Sequence, residues 1–323
     1  MIRVLPAALI VALGVVSPIS AQPIKTQKFE VVSKSDEVDD TTQATLLEFE
    51  GDGHDRMTVP VRVAGQGPYR FLVDTGADRT AISRQLAVAL NLQRSDLATM
   101  HTVTGVSRVS TASVPLLDIA AKQVRNVEAP LLEATNIGAD GILGLDSLHS
   151  QRILFDFKKQ LLTIVPSAVR EPALRDSIVV TGKIRNGRLI LAGAKANKKR
   201  LTLVVDTGAQ VSVGNDALKK MLLHASKGSE AVELQSVTGH RIVGEYVIVS
   251  ELEVGGVTLK DLPIVFADSQ LFTRMGLRDR PALLLGMNAL RGFEKVSIDF
   301  AKKKLRVVVP EEGSLERVAI AAL

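Results

Sequence analysis

Two short stretches of this chain end in the same way. Residues 71–80 read FLVDTGADRT and residues 201–210 read LTLVVDTGAQ. Each carries an apolar, strand-like run straight into an acid. An ionised carboxylate is costly to bury unless it is paired or hydrogen-bonded, so the two copies are either a coincidence or two halves of one site. Their surroundings decide for the second. Asp74 corresponds to Asp206, and Thr102-Val103-Thr104-Gly105 to Ser236-Val237-Thr238-Gly239. Leu117-Asp118-Ile119-Ala120-Ala121 corresponds to Leu252-Glu253-Val254-Gly255-Gly256. Ile142-Leu143-Gly144-Leu145-Asp146 corresponds to Leu284-Leu285-Gly286-Met287-Asn288, and Phe155-Asp156-Phe157 to Ile298-Asp299-Phe300. Five elements keep their order while the offset grows only from 132 to 143, mostly through extra loop around Asp268 to Pro281. That is an internal duplication, and it constrains the chain to two lobes of one architecture.

The text of both halves is mainly β. Alternating runs such as Thr58 to Val63 and apolar runs such as Ile242 to Val249 are punctuated by Gly, Asn and Pro. The fold class expected is therefore all-β, mainly antiparallel, with a short helix in each lobe. The first helix is signalled by Ile82, Leu86 and Leu90 at four-residue spacing; Asn215 can cap the second, which carries Leu218, Met221 and Leu222. With 323 residues, 46% of them hydrophobic, the chain suffices for two cored domains of roughly 100–150 residues each. The divisions expected are lobes at 51–166 and 173–312, a turn-rich linker at 167–172 and a tail at 313–323. Residues 22–50, polar and acidic around KSDEVDDTTQAT, read as a linker or loosely ordered lead-in.

The first 21 residues have the layout of a secretory signal: Arg3, an apolar run from Val4 to Val16, and small residues ending at Ala21. The run of 13 falls short of the ~20 apolar residues that a spanning helix needs. Cleavage, no stable membrane anchor, and a periplasmic or secreted location are the expectations. There is no cysteine, hence no disulfide, thiolate metal site or lipid-attachment cysteine. Net charge is +5, but the basic clusters Lys195 to Arg200 and Lys302 to Lys304 are short and lie between apolar β-type runs, as at hairpin tips. With 3% aromatic residues and no tryptophan for base stacking, nucleic acid is not an expected partner.

The doubled VDTGAD/VDTGAQ, the TG-containing segments, the ILG and LLG strands and the closing DF strand together resemble the aspartic peptidases, specifically the retroviral-type, retropepsin-like branch. The resemblance covers nearly all of 55–310. It implies two acid-protease-type β-barrel lobes with the active-site cleft between them, a covalently fused version of the viral homodimer and thus a monomer. It implies that Asp74 and Asp206 form the catalytic pair. Two carboxylates about 3 Å apart share a proton; the ionised member takes a proton from water while the protonated one donates to the scissile carbonyl. Thr75 and Thr207 would bond across to the opposite lobe's backbone, and Gly76 and Gly208 would let N–H groups approach the carboxylates. Ala77 and Ala209 stand where pepsin-like enzymes usually place Ser or Thr. Without that hydroxyl donor to the ionised form, the expected pH optimum is less acidic than theirs. The flaps over an extended peptide substrate would be 102–108 and 236–242, with Thr104, Gly105, Val106, Thr238, Gly239 and His240 at or near their tips. Gln210 departs from the viral pattern where Asp78 follows it, which implies altered salt-bridge or subsite contacts.

Other chemistries fit less well. Five histidines, at 54, 101, 149, 224 and 240, show no metal-ligand spacing, so neither metal nor cofactor is expected. His240 alone could titrate against a bound acidic side chain. No G-x-S-x-G elbow exists for a serine nucleophile, and a two-carboxylate glycosidase would leave Thr-Gly-Ala after both acids unexplained. The remaining alternative to an endopeptidase is a non-catalytic peptide-binding or regulatory protein on the same fold, though a pure binder needs neither acid.

Overall fold

The structure, a computed structural model, describes residues 45–48, 57–120, 122–171, 177–222 and 230–310. The signal expected at 1–21 and the tail expected at 313–323 lie outside these residues. Among the described residues no helix is long and apolar enough to cross a membrane.

The N-terminal half begins with strand β1 (Thr45–Glu48), inside the stretch read as a lead-in. It continues through β2 (Thr58–Val63), β3 (Gln66–Val73), β4 (Ala81–Ser83), helix α1 (Arg84–Ala89), β5 (Arg94–Thr102), β6 (Gly105–Ile119) and β7 (Lys122–Leu132). Helix α2 (Ala134–Ile137), β8 (Gly141–Leu143), helix α3 (Leu145–Leu148), β9 (Gln151–Asp156) and β10 (Leu161–Pro166) complete it. The C-terminal half runs β11 (Ser177–Thr181), β12 (Lys183–Arg185), β13 (Arg188–Ala196), β14 (Lys199–Val205), β15 (Ser212–Gly214), helix α4 (Asp216–Leu222), β16 (Glu230–Gln235), β17 (Arg241–Val254) and β18 (Val257–Phe266). It ends with helix α5 (Gln270–Arg274), β19 (Ala282–Leu285), helix α6 (Met287–Leu290), β20 (Lys295–Asp299) and β21 (Lys304–Val308).

Each half closes into a six-stranded barrel. In the first the ring is β2-β3-β8-β4-β7-β6, closed by β2 pairing with β6; in the second it is β13-β14-β19-β15-β18-β17, closed by β13 pairing with β17. Closure leaves the ring without free edges, and the two-residue side-chain period turns one face of each strand inward. In β2, Val59, Val61 and Val63 are buried while Pro60 and Arg62 are exposed. The fold is thus all-β with two barrel lobes, as the sequence predicts. Most pairings are antiparallel; the exceptions, β3 with β8, β4 with β7, β14 with β19 and β15 with β18, flank the two Asp-Thr-Gly loops.

Among the described residues helices are more numerous than expected, three short ones in each lobe. The extra ones have four or five residues, too short to show a helical repeat in the sequence. Ile82 belongs to β4 rather than to a helix, and α1 starts only after Ser83, whose hydroxyl accepts from Leu86 N at 3.1 Å. At α4 the cap is as expected: Asn215 Oδ1 accepts from Leu218 N at 2.9 Å. Lys195 to Arg200 forms the β13–β14 hairpin, with Asn197 and Lys198 both at positive φ (46° and 66°), the geometry that two-residue hairpin turns require.

A third sheet, β1-β10-β9-β20-β21-β11, is built by both halves. Its middle is an antiparallel pair between the two repeated DF strands, with Ile153 opposite Ile298 and Phe155 opposite Val296. All four side chains are buried. The register also sets Asp156 opposite Lys295, with their charges 3.4 Å apart, and Asp299 opposite Arg152. Asp299 accepts from the Ser167 hydroxyl at 2.5 Å. This sheet fixes the two barrels side by side and brings their Asp-Thr-Gly loops together.

Candidate active site

Asp74 leaves the end of β3 and Asp206 the end of β14. Their backbone N–H groups donate to Leu143 O and Leu285 O, each at 3.0 Å, so each loop is anchored to the strand running parallel beside it. The chain then turns back on the carboxylate. Gly76 N and Ala77 N donate to Asp74 Oδ1 at 2.7 and 3.0 Å; Gly208 N and Ala209 N donate to Asp206 Oδ1 at 3.0 and 3.2 Å. One oxygen of each acid is therefore held by two backbone N–H groups.

The loops lock to each other through Thr75 and Thr207. Thr75 N donates to Thr207 Oγ1 and Thr207 N to Thr75 Oγ1, both at 3.0 Å. The hydroxyls in turn donate to the opposite lobe's strand end, Thr75 Oγ1 to Val205 O at 3.1 Å and Thr207 Oγ1 to Val73 O at 2.7 Å. Both threonines are buried. The glycines have a further role. A Cβ on Gly76 would overlap the Asp206 carboxylate, and one on Gly208 would overlap that of Asp74. Each glycine vacates the space that the other lobe's acid fills, which puts the two carboxylates in one pocket.

Burial and crowding act on the pair. Desolvation, then the charge of Asp206, pushes the Asp74 carboxyl up to about 7, against the opposing pull of the Gly76 and Ala77 N–H groups and Arg188. Burial also raises Asp206, against Arg188 and the N–H groups of Gly208 and Ala209. Such a pair titrates as a unit, holding one proton over a range of pH.

Three supports of this site carry no obvious sequence signal. Thr80 donates to Asp146 through its N–H (2.9 Å) and its hydroxyl (2.7 Å), and its Oγ1 accepts from Gly144 N at 3.1 Å. The second lobe repeats this with Ser212, Asn288 and Gly286 at 2.9, 2.8 and 3.1 Å. Comparison of the repeats could have found them, since Thr80 and Ser212 both lie six residues after their aspartates. The third is Arg188, whose side chain is only 7% exposed. Its Nε and Nη2 donate to Gly76 O at 3.1 and 2.5 Å, and its Nη1 pairs with Asp78 Oδ1 at 2.7 Å. A residue of the second lobe thereby clamps the backbone of the first lobe's Asp-Thr-Gly loop. In the second loop the position of Asp78 is held by Gln210.

The two segments expected as flaps are hairpins. Val103 and Thr104 turn β5 into β6, and residues 236–240 turn β16 into β17. Both tips carry a hydroxyl pair, Thr102 with Thr104 at 3.1 Å and Ser236 with Thr238 at 2.9 Å. Gly105 and Gly239 have φ of 143° and 81°, a region that side chains disfavour. Val106 is exposed. His240 Nδ1 lies 3.2 Å from Ser107 Oγ, linking one flap to the other. The tips also cross between lobes: Val103 packs on the C-terminal lobe's cluster of Leu271, Phe272 and Met275, and Val237 on the N-terminal lobe's cluster of Leu132, Ile137 and Ala139. Gln235 Nε2 donates to Asn136 Oδ1 at 3.2 Å. Among the described residues no group of three or more His, Cys, Asp or Glu is placed to hold a metal.

Comparison with known proteins agrees with this geometry. Residues 59–150 match the gag-polyprotein aspartyl protease family, and residues 192–289 match the family described as aspartyl protease. No curated protein shows significant similarity to the chain. The two matches fall in tandem, one on each barrel and each spanning one Asp-Thr-Gly-Ala loop, and the chain therefore belongs to the aspartic peptidases, as a retropepsin-like member with both lobes in one polypeptide.

Proposed function

We propose that this protein is an exported aspartic endopeptidase that hydrolyses peptide bonds with a water molecule activated between Asp74 and Asp206. The observation that carries the reading is the reciprocal fit of the two loops: each acid sits against the other lobe's glycine, with one oxygen held by N–H groups. In this reading the ionised member takes the proton of the attacking water, and the protonated member donates to the scissile carbonyl oxygen. Their roles exchange as the amine departs. Attack is by water, so no acyl-enzyme forms. An extended substrate would lie under the Thr104-Gly105-Val106 and Thr238-Gly239-His240 tips as an added strand. Both acids come from one chain, so a monomer suffices. Export rests on the leader at residues 1–21 and would be checked by the N-terminal residue of the mature protein.

The test is cleavage of a peptide library by the wild type, Asp74→Asn and Asp206→Asn, with a statine-type inhibitor as a second arm. Either substitution should lower turnover by about 10²–10⁴-fold, the usual weight of a positioned acid or base. Equal turnover by variant and wild type would end the catalytic assignment. Tight peptide binding by the wild type without cleavage would favour a regulatory, non-catalytic protein. The rate should peak at a less acidic pH than in pepsin-like enzymes, because Ala77 and Ala209 give the carboxylates no hydroxyl and burial raises both. A profile with its maximum only in strong acid contradicts this.

A further inference from the structure

Beside the catalytic loop, on the seam between the lobes, lies an open groove of about 500 Å³. Asp78, Leu145, Asp146 and His149 line it from the N-terminal lobe, and Ile184 and Phe300 from the C-terminal lobe. Asp78, which lines it, follows Asp74 by four residues in the same loop. The groove combines an apolar floor with acid at its edge. Leu145 and Phe300 are buried and Ile184 is half-buried, whereas Asp78, Asp146 and His149 are exposed. The cations at its margin are already engaged. Arg188 pairs with Asp78 and Gly76 O, and Lys122, whose Nζ donates to Ser147 O at 2.8 Å, is near enough to Asp146 to feel its charge. The Asp78 carboxylate nonetheless stays 50% exposed. An apolar trough with carboxylates at its rim suits a long aliphatic side chain that ends in a cation.

The opposite lobe does not repeat this chemistry. At the positions equivalent to Asp78, Leu145, Asp146 and His149 stand Gln210, Met287, Asn288 and Arg291. Two carboxylates and an imidazole on one side correspond to two amides and a guanidinium on the other. A cleft with pseudo-twofold symmetry cannot by itself tell one direction of a peptide from the other. This difference can.

We propose that the groove is an outer subsite for a lysine or arginine side chain on one flank of the bound polypeptide, and that it sets the direction in which the polypeptide lies across the cleft. The proposal rests on the peptidase reading above, and its test separates the two. Lysine and glutamate are scanned in turn through the flanks of one neutral peptide. Binding is read by fluorescence anisotropy on full-length Asp74→Asn, and cleavage is read on the wild type. Lysine should bind about fivefold tighter than glutamate at a position on one side of the scissile bond, the strength of a part-screened ion pair, and the preference should shrink with added salt. The double variant Asp146→Asn/His149→Arg, made in the same Asp74→Asn background, copies the other lobe's residues. Asn288 already shows that an amide there can hold the loop. This variant should lose most of the ratio between the two peptides. A lysine preference found nowhere, found equally on both flanks, or unchanged in the double variant would overturn the groove while leaving proteolysis standing. Absence of any peptide binding would overturn both readings. A wild type that binds with the lysine preference yet never cleaves would overturn only the catalytic reading.

Discussion

Asp74 lies in an unfavourable place for a charge, and the consequence is measurable without any substrate. Its folded carboxyl is raised to about 7, whereas an aspartate in an unfolded chain titrates near ~3.9. Between those values the folded protein keeps a proton that the unfolded chain has lost. This contribution to stability is therefore fully present below ~4 and disappears as pH rises through about 7. Asp206 shifts in the same direction, so its contribution has the same sign. An asparagine at 74 resembles the neutral form at every pH. Asp74→Asn should melt at a higher temperature than the wild type at pH 8, and the gap should narrow towards pH 4. A wild type that gains on the variant as pH rises would show that the carboxylate is stabilised by its surroundings, contrary to the desolvation of this half-buried acid beside Asp206. At this scale the sequence was informative, because the acids, threonines and glycines are adjacent in the chain and doubled. Arg188 carries no such signal: it meets Gly76 across 112 residues, and the residue facing it in the first loop, Asp78, has no acidic counterpart at Gln210.

At the scale of elements, the two segments expected as substrate-covering flaps are hairpins. What the turn residues could not reveal is where the tips rest. Val103 belongs to the N-terminal lobe but packs on the C-terminal cluster that contains Leu271 and Phe272 of α5, an insertion seen in the sequence only as extra loop. The other tip is held by Val237 on the N-terminal cluster and by the Gln235–Asn136 hydrogen bond. Each flap is thus retained by the lobe it does not belong to, and lifting one must expose apolar surface on the other. Val103→Ala removes two methyl-sized groups from a half-buried contact, worth about 1 kcal/mol. Amide exchange at 103–105 should then speed up about fivefold in the absence of any ligand, with little change at 237–239. Unchanged exchange at 103–105 would mean that the tip is held by its own hairpin and not by the opposite lobe. The one-turn helices α3 and α6 were also illegible, since they are set by Gly144 and Gly286 and by backbone bonds such as Leu145 N to Ala77 O (2.9 Å) and Met287 N to Ala209 O (2.8 Å).

For the whole molecule, the duplication visible in the sequence accounts for two barrels but not for how firmly they are joined. Two-domain chains commonly unfold in separate steps. Here the halves share their central sheet, in which Ile153 and Ile298 face each other and are fully buried, and they share the crossed threonine bonds at the loops. Unfolding the C-terminal lobe alone would strip β9 of its β20 partner. It would also leave Thr75 N, the Thr75 hydroxyl and the Arg188-bonded carbonyl of Gly76 without their partners. Water would take over those polar partners, so the penalty on a half-folded species comes mainly from the apolar face of the shared sheet left uncovered, at about 25 cal/mol per Å². The expected result is one calorimetric transition for the full chain, with van't Hoff and calorimetric enthalpies in agreement. Ile298→Ala should lower stability by about 2–5 kcal/mol and should shift that single transition without splitting it. Two resolved transitions in the wild type would mean that the shared sheet is too weak to couple the lobes. The pairing of Asp74 with Asp206 would then depend on a contact that opens well before either barrel melts.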